Sequence, residues 1–459
     1  MYKIDFLQNV RVDTRWECPA CGAFSVHVGV TVDSGRTDIG VQELGKCEGC
    51  SSWFYLGEDP VIGYQDSAID SKYWMHYVQA GAGIHAMLRP IMALGQRARG
   101  TFLDVGCGFG FVPDFWVRSG RGSAIGLEAA SYGKIGKRLL GVDIHHEYLA
   151  DCDAVKGRTF DVVYSSEVIE HVRNPAKFLQ ELGTALAPEG VLILTTPSAS
   201  CVREDFDQSS LHAALSPGFH YFLLSRERFR QLLAEAGFGY CFIEDNGEKL
   251  TAWASRVPLD APVADAFDWD EYLAYLEKLI ERDDPHLRGG AFYRLFKDSM
   301  NTGHMDLAVK IFPRLENFTR TTYGIDLTFP NIAEAMKKKN ILDSLDVSPA
   351  WFGSLLLFSG IFAGNELRDP GRKLRLLEAS THVLRHDMEI GLQFAQEAAA
   401  FLPVATFNHR MALAEFLSAE IPRGLGREVL DEYSRPNEQQ ILNFQKRMAE
   451  LGKTIKSWI

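Results

Sequence analysis

The 459-residue sequence predicts an α/β domain at its centre: a mostly parallel, seven-stranded sheet covered by helices on both faces. A small cysteine-bearing module precedes it and an all-α part follows. Three observations carry this reading. Short apolar runs alternate with helical patterns between residues 100 and 256, and strands that alternate with helices pair in parallel beneath those helices. A glycine-rich turn, "GCGFG" at 106–110, directly follows the first of these runs. Two CxxC pairs lie within the first 50 residues, and strand signals fade beyond about residue 265.

The elements follow in order. Residues 70–95 read as helix, broken near Gly81 and Gly83. "TFLDV" is the first strand; after the glycine turn a helix runs through "PDFWVRSG", with Pro113 suited to its first turn. "SAIGLE", "IHHEYL" and "FDVVYSS" are strands two to four. Asn174 and Pro175 form an N-cap and N1 pair opening the helix "AKFLQELGTAL". "GVLILTT" is strand five. Ser225 caps "RERFRQLLAEAGF", and Gly237 ends it. "YCFIE" and "LTAWAS" complete the sheet. Ligands of such sheets bind at the carboxyl ends of the strands, where the glycine turn lies.

The spacing predicts helices in "DEYLAYLEKLIERDD", "FKDSMNTGHMDLAVKIF", "RKLRLLEASTHVL", "GLQFAQEAAAFL" and "ILNFQKRMAELGKTI". This gives three domains: a zinc-ribbon-like module over 1–62, the α/β domain over 63–258, and a helical domain over 265–459 joined by the linker "VPLDAPVADAFD". Residues 348–365 carry no charge over 18 positions, near the lower limit of a membrane span. Their proline, three glycines and three serines favour a buried helix instead, so no stable membrane insertion is expected.

The net charge of −12 argues against a broad nucleic-acid surface. The N-terminus "MYKIDFLQNV" has no apolar core of a signal peptide. Four of eight cysteines pair as CxxC and the rest are scattered, which suits a reducing, cytoplasmic setting. "CPACG" and "CEGC" offer the thiolates of Cys18, Cys21, Cys47 and Cys50, with 25 intervening residues able to form a hairpin. Four thiolates complete a tetrahedron around Zn2+ and leave no open position, so the expected zinc is structural. His27 lies in an apolar run and is not expected to be a ligand.

The third glycine of a G-x-G-x-x-G dinucleotide fingerprint would fall at 111, which is Phe111. The pattern here is D-x-G-x-G-x-G from Asp104, with Glu128 at the end of the next strand, placed to hold both hydroxyls of a ribose. "LDVGCGFG", "GLE", "FDVVYSSEVIEHV" and "LAPEGVLILTTP" together resemble the successive motifs of class I S-adenosylmethionine-dependent methyltransferases. They resemble in particular the group containing ubiquinone-type and glycan-locus O-methyltransferases, over roughly 70–256.

The resemblance implies a Rossmann-like sheet and S-adenosyl-L-methionine as cofactor. Gly106, Gly108 and Gly110 would let the backbone approach its methionine end, and Asp104 would bind the amino group there. Glu128 would hold the ribose. Asp151 or Asp153 would face the adenine, with Asp151 slightly favoured. Ser166 and Glu167 would line the cofactor near the sulfonium, and Tyr77 would close over it. In the ubiquinone-type group a stretch like Glu167, Glu170 and His171 holds a divalent cation, although such spacing is common on helices.

The acceptor is expected to be small: a sugar, a glycan or a related metabolite bearing a hydroxyl. His220, in "LSPGFHYFLLS", is the favoured proton acceptor or its orienter, with His171 second and Glu170 in support. Zinc ribbons also precede some ribosomal-RNA methyltransferases, but residues 1–70 carry five Lys/Arg against eleven Asp/Glu, a net −6 that repels phosphate. Some sugar C-methyltransferases share such a module but continue into α/β structure, whereas this chain turns helical. The competing readings are a protein or RNA methyltransferase that docks through its flanking modules, and a non-catalytic cofactor-binding scaffold. A protein partner or self-association would use the helical domain.

Overall fold

The computed structural model describes residues 3–13, 16–35, 39–57, 60–61, 71–81, 83–263, 267–340, 348–390 and 396–420. The chain divides into two compact units, one of Met1–Ala68 with Ile84–Asp268, the other of Ile69–Gly83 with Trp269–Ile459.

In the first unit the N-terminal strands are β1 (Lys3–Asp13), β2 (Ser25–Asp33), β3 (Val41–Cys47) and β4 (Trp53–Tyr55). The helix α1 (Ser71–Ala80) belongs to the second unit, and α2 (Ile84–Met92) returns to the first. Then come β5 (Phe102–Val105), α3 (Phe111–Arg118), β6 (Ala124–Leu127), α4 (Tyr132–Leu140), β7 (Ile144–His145) and β8 (Phe160–Ser166). After them lie α5 (Pro175–Ala185), β9 (Leu186–Pro197), α6 (Gln208–Leu215), β10 (Phe222–Leu223), α7 (Arg226–Glu235), β11 (Tyr240–Asp245) and β12 (Lys249–Ser255).

The large sheet has seven strands in the order β11-β12-β9-β8-β5-β6-β7. Strands β7, β6, β5, β8 and β9 are mutually parallel, and β12 runs antiparallel to both β9 and β11. The chain steps outward from β5 to β7, then crosses back to β8. The crevice between β5 and β8 is therefore the topological switch point where such sheets bind ligands. Strand β5 is buried along its whole length, as a central parallel strand requires. "IHHEYL" keeps only Ile144 and His145 in the sheet; its histidines and Glu147 suit an edge that ends early. The Asn174 side chain accepts from Lys177 N ahead of Pro175, and the Ser225 side chain accepts from Arg228 N.

A second, antiparallel sheet has the order β1-β2-β3-β4-β10. Its first four strands come from the cysteine-bearing module, with the expected hairpin between β2 and β3. Its fifth, β10, comes from the catalytic domain. The core of this sheet packs Val30, Val32, Leu44 and Tyr55 against Cys201, Leu211, Leu215 and Leu223. The module and the large sheet thus fall within one compact unit. In the stretch 257–268, Val263 N donates to Ala93 O, while residues 264–266 lie outside the described residues.

The second unit is helical throughout its described secondary structure: α1, α8 (Trp269–Leu279), α9 (Pro285–Asn301), α10 (Met305–Tyr323), α11 (Phe352–Asn365), α12 (Pro370–Ile390) and α13 (Gln396–Glu420), with one short 3-10 turn. The expected hairpin around Asn301, Thr302 and Gly303 joins α9 to α10. The uncharged stretch becomes α11, buried from Phe352 to Gly360. A Cβ at Gly360 would lie 2.8 Å from Leu377 Cγ, so glycine lets α12 approach closely. No helix among the described residues is long and apolar enough to cross a membrane. "ILNFQKRMAELGKTI" lies outside the described residues.

Candidate active site and cysteine cluster

The carboxyl ends of β5, β6 and β8 gather most of the expected cofactor residues. Asp104 is 2% exposed, and its Oδ1 has no hydrogen-bond partner among the described residues. Burial, then the Glu128 charge, pushes its carboxyl well above the usual range. An orphaned buried carboxylate oxygen calls for a donor or a cation, as the ammonium of the cofactor's methionine end would supply.

Glu128 anchors the glycine turn. Its Oε2 accepts from Gly108 N at 2.9 Å and its Oε1 from Ala130 N at 2.8 Å. Burial raises its pKa to about 7 against the opposing effect of those two hydrogen bonds. Each carboxylate oxygen keeps acceptor capacity for a ribose hydroxyl.

The three glycines divide the work. All have positive φ: Gly106 +81°, Gly108 +58° and Gly110 +81°. A Cβ at Gly106 would lie 2.3 Å from Val168 Cγ2, and one at Gly110 would lie 2.6 Å from Ile144 Cδ1. Gly106 and Gly110 are thus demanded by the protein's own packing. A Cβ at Gly108 would meet only Tyr132 Cε2, at 3.9 Å, so this is the turn position with space for a ligand. Tyr132 also hydrogen-bonds Glu128; no spacing rule singled it out.

Glu167 has φ +56°, an unusual conformation for a non-glycine residue. Its Oε1 accepts from Thr195 Oγ1 at 2.8 Å and pairs with Lys249 Nζ at 3.3 Å. Ser166 Oγ lies 2.7 Å from the same Thr195 hydroxyl. Thr195 and Lys249 therefore belong to the site, although sequence reasoning assigned neither. Asp151 is exposed on the turn after β7, with its N–H donating to Tyr148 O. Asp153 is likewise exposed. Tyr77 is half-buried on α1, in the helical unit.

Glu170, His171 and His220 converge, with one ligand atom from each within 4.8 Å of the others. Glu170 is fully buried; its Oε2 accepts from Thr196 Oγ1 at 2.9 Å, and its Oε1 has no hydrogen-bond partner among the described residues. His171 Nε2 lies 3.9 Å and His220 Nε2 4.0 Å from that oxygen. Nδ1 of His171 is 2.8 Å from Phe219 O, and Nδ1 of His220 is 2.9 Å from Ala214 O. A carbonyl only accepts, so each Nδ1 carries the proton and each neutral ring turns its Nε2 lone pair inward. Burial lowers both imidazole pKa values and raises that of Glu170. His220 is 5% exposed, whereas the His171 side chain is 19% exposed. The reachable imidazole is His171, and His220 lies behind it.

The four paired cysteines form one cluster, with Cys18 and Cys50 sulfurs 3.8 Å apart and Cys21 and Cys47 sulfurs 3.5 Å apart. A Zn–S bond of ~2.3 Å sets sulfur–sulfur edges of ~3.8 Å in a tetrahedron, so the donor set fits zinc. The knuckle turns are built by Gly22 N and Cys21 N donating to Cys18 O, and by Ser51 N donating to Cys47 O. His27 pairs with Glu48, outside the cluster.

A parallel sheet with a glycine turn after its central strand, and an acidic residue ending the next, defines a nucleoside-cofactor-binding α/β domain. Residues 75–240, about a third of the chain, match the methyltransferase domain family, which supports an S-adenosylmethionine-dependent methyltransferase domain in this region. It is 29% identical over 211 residues to a probable S-adenosylmethionine-dependent methyltransferase of Mycolicibacterium smegmatis, covering 42% of this chain and 76% of that one. It is 38% identical over 102 residues to a mitochondrial ubiquinone biosynthesis O-methyltransferase of Arabidopsis thaliana, covering 21% of this chain. The chain spans about a third of that relative's length, 31%. An O-methyltransferase family protein from Burkholderia thailandensis aligns with a TM-score of 0.36 at 17% identity, over 44% of this chain and 65% of that one.

Proposed function

We propose that this methyltransferase acts on a hydroxyl of a sugar, in a glycan or its activated precursor, or of a related small metabolite. The observation that carries the reading is the tautomer of His171. Its Nδ1–H is committed to Phe219 O, which leaves Nε2 as a proton acceptor beside Ser166 and Glu167 in the chain. The acceptor oxygen attacks the methyl carbon in line with the sulfur. S-adenosyl-L-methionine, when bound, would supply the methyl group and take the electron pair of the broken carbon–sulfur bond, and the hydroxyl proton would pass to His171 Nε2. Glu170 and His220 pack beside that ring and hold its position. This exchanges the order of the two histidines expected from the sequence, because His220 is the more deeply buried.

Around the cofactor, Asp104 binds the amino group, Glu128 the ribose, Gly108 the approaching backbone and Asp151 the adenine. Gly106 and Gly110 shape the turn, while Ser166 and Glu167 line the methyl-transfer side. Cys18, Cys21, Cys47 and Cys50 hold one structural zinc. The helical unit serves a protein partner or self-association, and the enzyme works in the cytoplasm. The Arabidopsis relative is named as an O-methyltransferase, which supports an oxygen acceptor. The acidic N-terminal module speaks against RNA.

The unpartnered Oε1 of Glu170 favours a second reading, in which Glu170, His171 and His220 hold a divalent cation. Backbone carbonyls on the far ring nitrogens are the usual outer support of such ligands. The cation would polarise the acceptor hydroxyl. Transfer of radiolabelled methyl groups to fractionated extracts tests the function. Label in carbohydrate or small metabolites supports it; label confined to protein or RNA overturns it, and cofactor binding without any transfer marks a scaffold.

A further inference from the structure

The loop carrying His220 is held by two different parts of the first unit. On one side it meets the active site: Tyr221 N donates to Glu170 O at 2.8 Å, and Phe219 O faces His171 Nδ1. On the other side it meets the cysteine module. Tyr55 N donates to Tyr221 O at 3.0 Å, Phe54 pairs with Phe222, and Trp53 pairs with Leu223. Tyr55 is 4% exposed, and its hydroxyl donates to Leu215 O at 3.0 Å. Ser225 N donates to Ser52 Oγ at 3.0 Å, and Ser225 Oγ donates to Cys50 O at 2.6 Å. Gly218 packs against Ile39, whose Cδ1 would lie 2.7 Å from a Cβ there. Tyr221 is the hinge of the arrangement, since its N–H reaches the catalytic cluster and its carbonyl reaches the module.

We infer that the cysteine module is a brace for the acceptor side of the active site, with Tyr55 as its main positioning residue. The metal-bound knuckle at Cys47–Cys50 fixes Ser52 to Tyr55, and that strand fixes residues 215–225 against Glu170 and His171. Filling the four-cysteine site then controls methyl transfer while leaving the cofactor end untouched. The Gly106–Gly110 turn is tied to Glu128 and packed on Val168 and Ile144, and none of those contacts involves the module. The inference rests on the proposal that Glu170, His171 and His220 serve the acceptor.

The test uses the full chain, zinc-loaded, zinc-stripped with a chelator, and as Tyr55→Phe. Hydrogen–deuterium exchange followed by mass spectrometry reads residues 215–225 and 102–111 separately. Calorimetry with S-adenosylhomocysteine reads the cofactor end, and radiolabel transfer to the labelled extract fraction reads chemistry. We expect exchange in 215–225 to rise at least tenfold on stripping. In Tyr55→Phe, which keeps its zinc, it should rise about fivefold, as loss of one hydrogen bond implies. In both, exchange at 102–111 and S-adenosylhomocysteine affinity should stay within twofold while transfer falls. Unchanged exchange at 215–225 in both overturns the brace and leaves the function standing. Equal loosening of 215–225 and 102–111 in Tyr55→Phe also overturns it, since the module would then merely support the whole unit. A loosened 215–225 with undiminished transfer overturns the acceptor assignment, and the inference with it.

Discussion

The backbone N–H of Gly108 donates to the carboxylate of Glu128 across 2.9 Å. The glycine turn after β5 and the acidic end of β6 are therefore one device, and the ionisation of Glu128 governs both. Its pKa is raised to about 7 by burial. Ribose hydroxyls donate to the ionised form, so affinity for S-adenosylhomocysteine should climb as pH rises through about 7. Stability follows the opposite sign. A raised carboxylate pKa contributes stability that is complete below the model-peptide value and lost as pH rises through the folded value. Calorimetry from pH 5.5 to 8.5 checks the first effect. Glu128→Gln should weaken binding about tenfold or more at pH 8 and flatten the profile. A wild-type profile already flat across this range would remove Glu128 from the ribose.

The three turn glycines should separate in their effects. Gly106→Ala and Gly110→Ala drive a Cβ into Val168 and Ile144, so both should lower Tm by several degrees before any ligand is added. Gly108→Ala meets only Tyr132 at ordinary contact distance and incurs about 1–2 kcal/mol of left-handed strain. It should lower Tm less than the other two and lose cofactor affinity by more than tenfold. Thermal melts with and without S-adenosylhomocysteine distinguish these outcomes. An equal Tm loss in all three variants would contradict the division.

The local punctuation of this fold was legible because the residues that set it act over three or four positions. Asn174 and Ser225 cap helices as their side chains dictate, and the alternation of strands and helices carried the sheet. Long-range pairings were not legible. β10 is two residues long and pairs with β4, about 170 positions earlier, and no periodicity marks such a strand. That α1 groups with the second unit could not be read from a helix pattern that ran on to residue 95. Within the site, carboxylates and histidines announced themselves by type and spacing. Lys249 and Thr195 did not, because they act only through the charge and hydroxyl they present to Glu167.

Zinc should be bound one per chain, and removing one thiolate should cost folding. Cys18 and Cys47 are buried among the hydrophobic contacts of the large core. Cys18→Ser should lose the metal and lower Tm, since binding free energy at such sites is also folding free energy. Elemental analysis of chelator-free protein checks occupancy, and calorimetry checks stability. A stoichiometry near zero in active protein would contradict the assignment.

The catalytic cluster yields the last prediction. If His171 takes the acceptor proton, His171→Gln should reduce kcat by about a hundredfold to ten-thousandfold and leave S-adenosylhomocysteine affinity unchanged. His220→Gln and Glu170→Gln act through the position and charge of His171, so their losses should be smaller, about tenfold to a hundredfold. Burial lowers the His171 pKa from its ordinary value. A neutral ring is the competent base, so kcat at saturating cofactor should stay level below pH ~6.5 and fall only at more acid pH. Saturation separates this limb from the Glu128 effect on binding. A divalent cation on the same three residues would act differently. Chelation would then abolish turnover, an added divalent metal would restore it, and Glu170→Gln would lose as much as His171→Gln. Full turnover in metal-stripped protein with intact four-cysteine zinc would leave His171 as the base. Near-normal kcat in both His171→Gln and Glu170→Gln would remove the cluster from the chemistry and leave it a buried polar core of the β8–α5 connection.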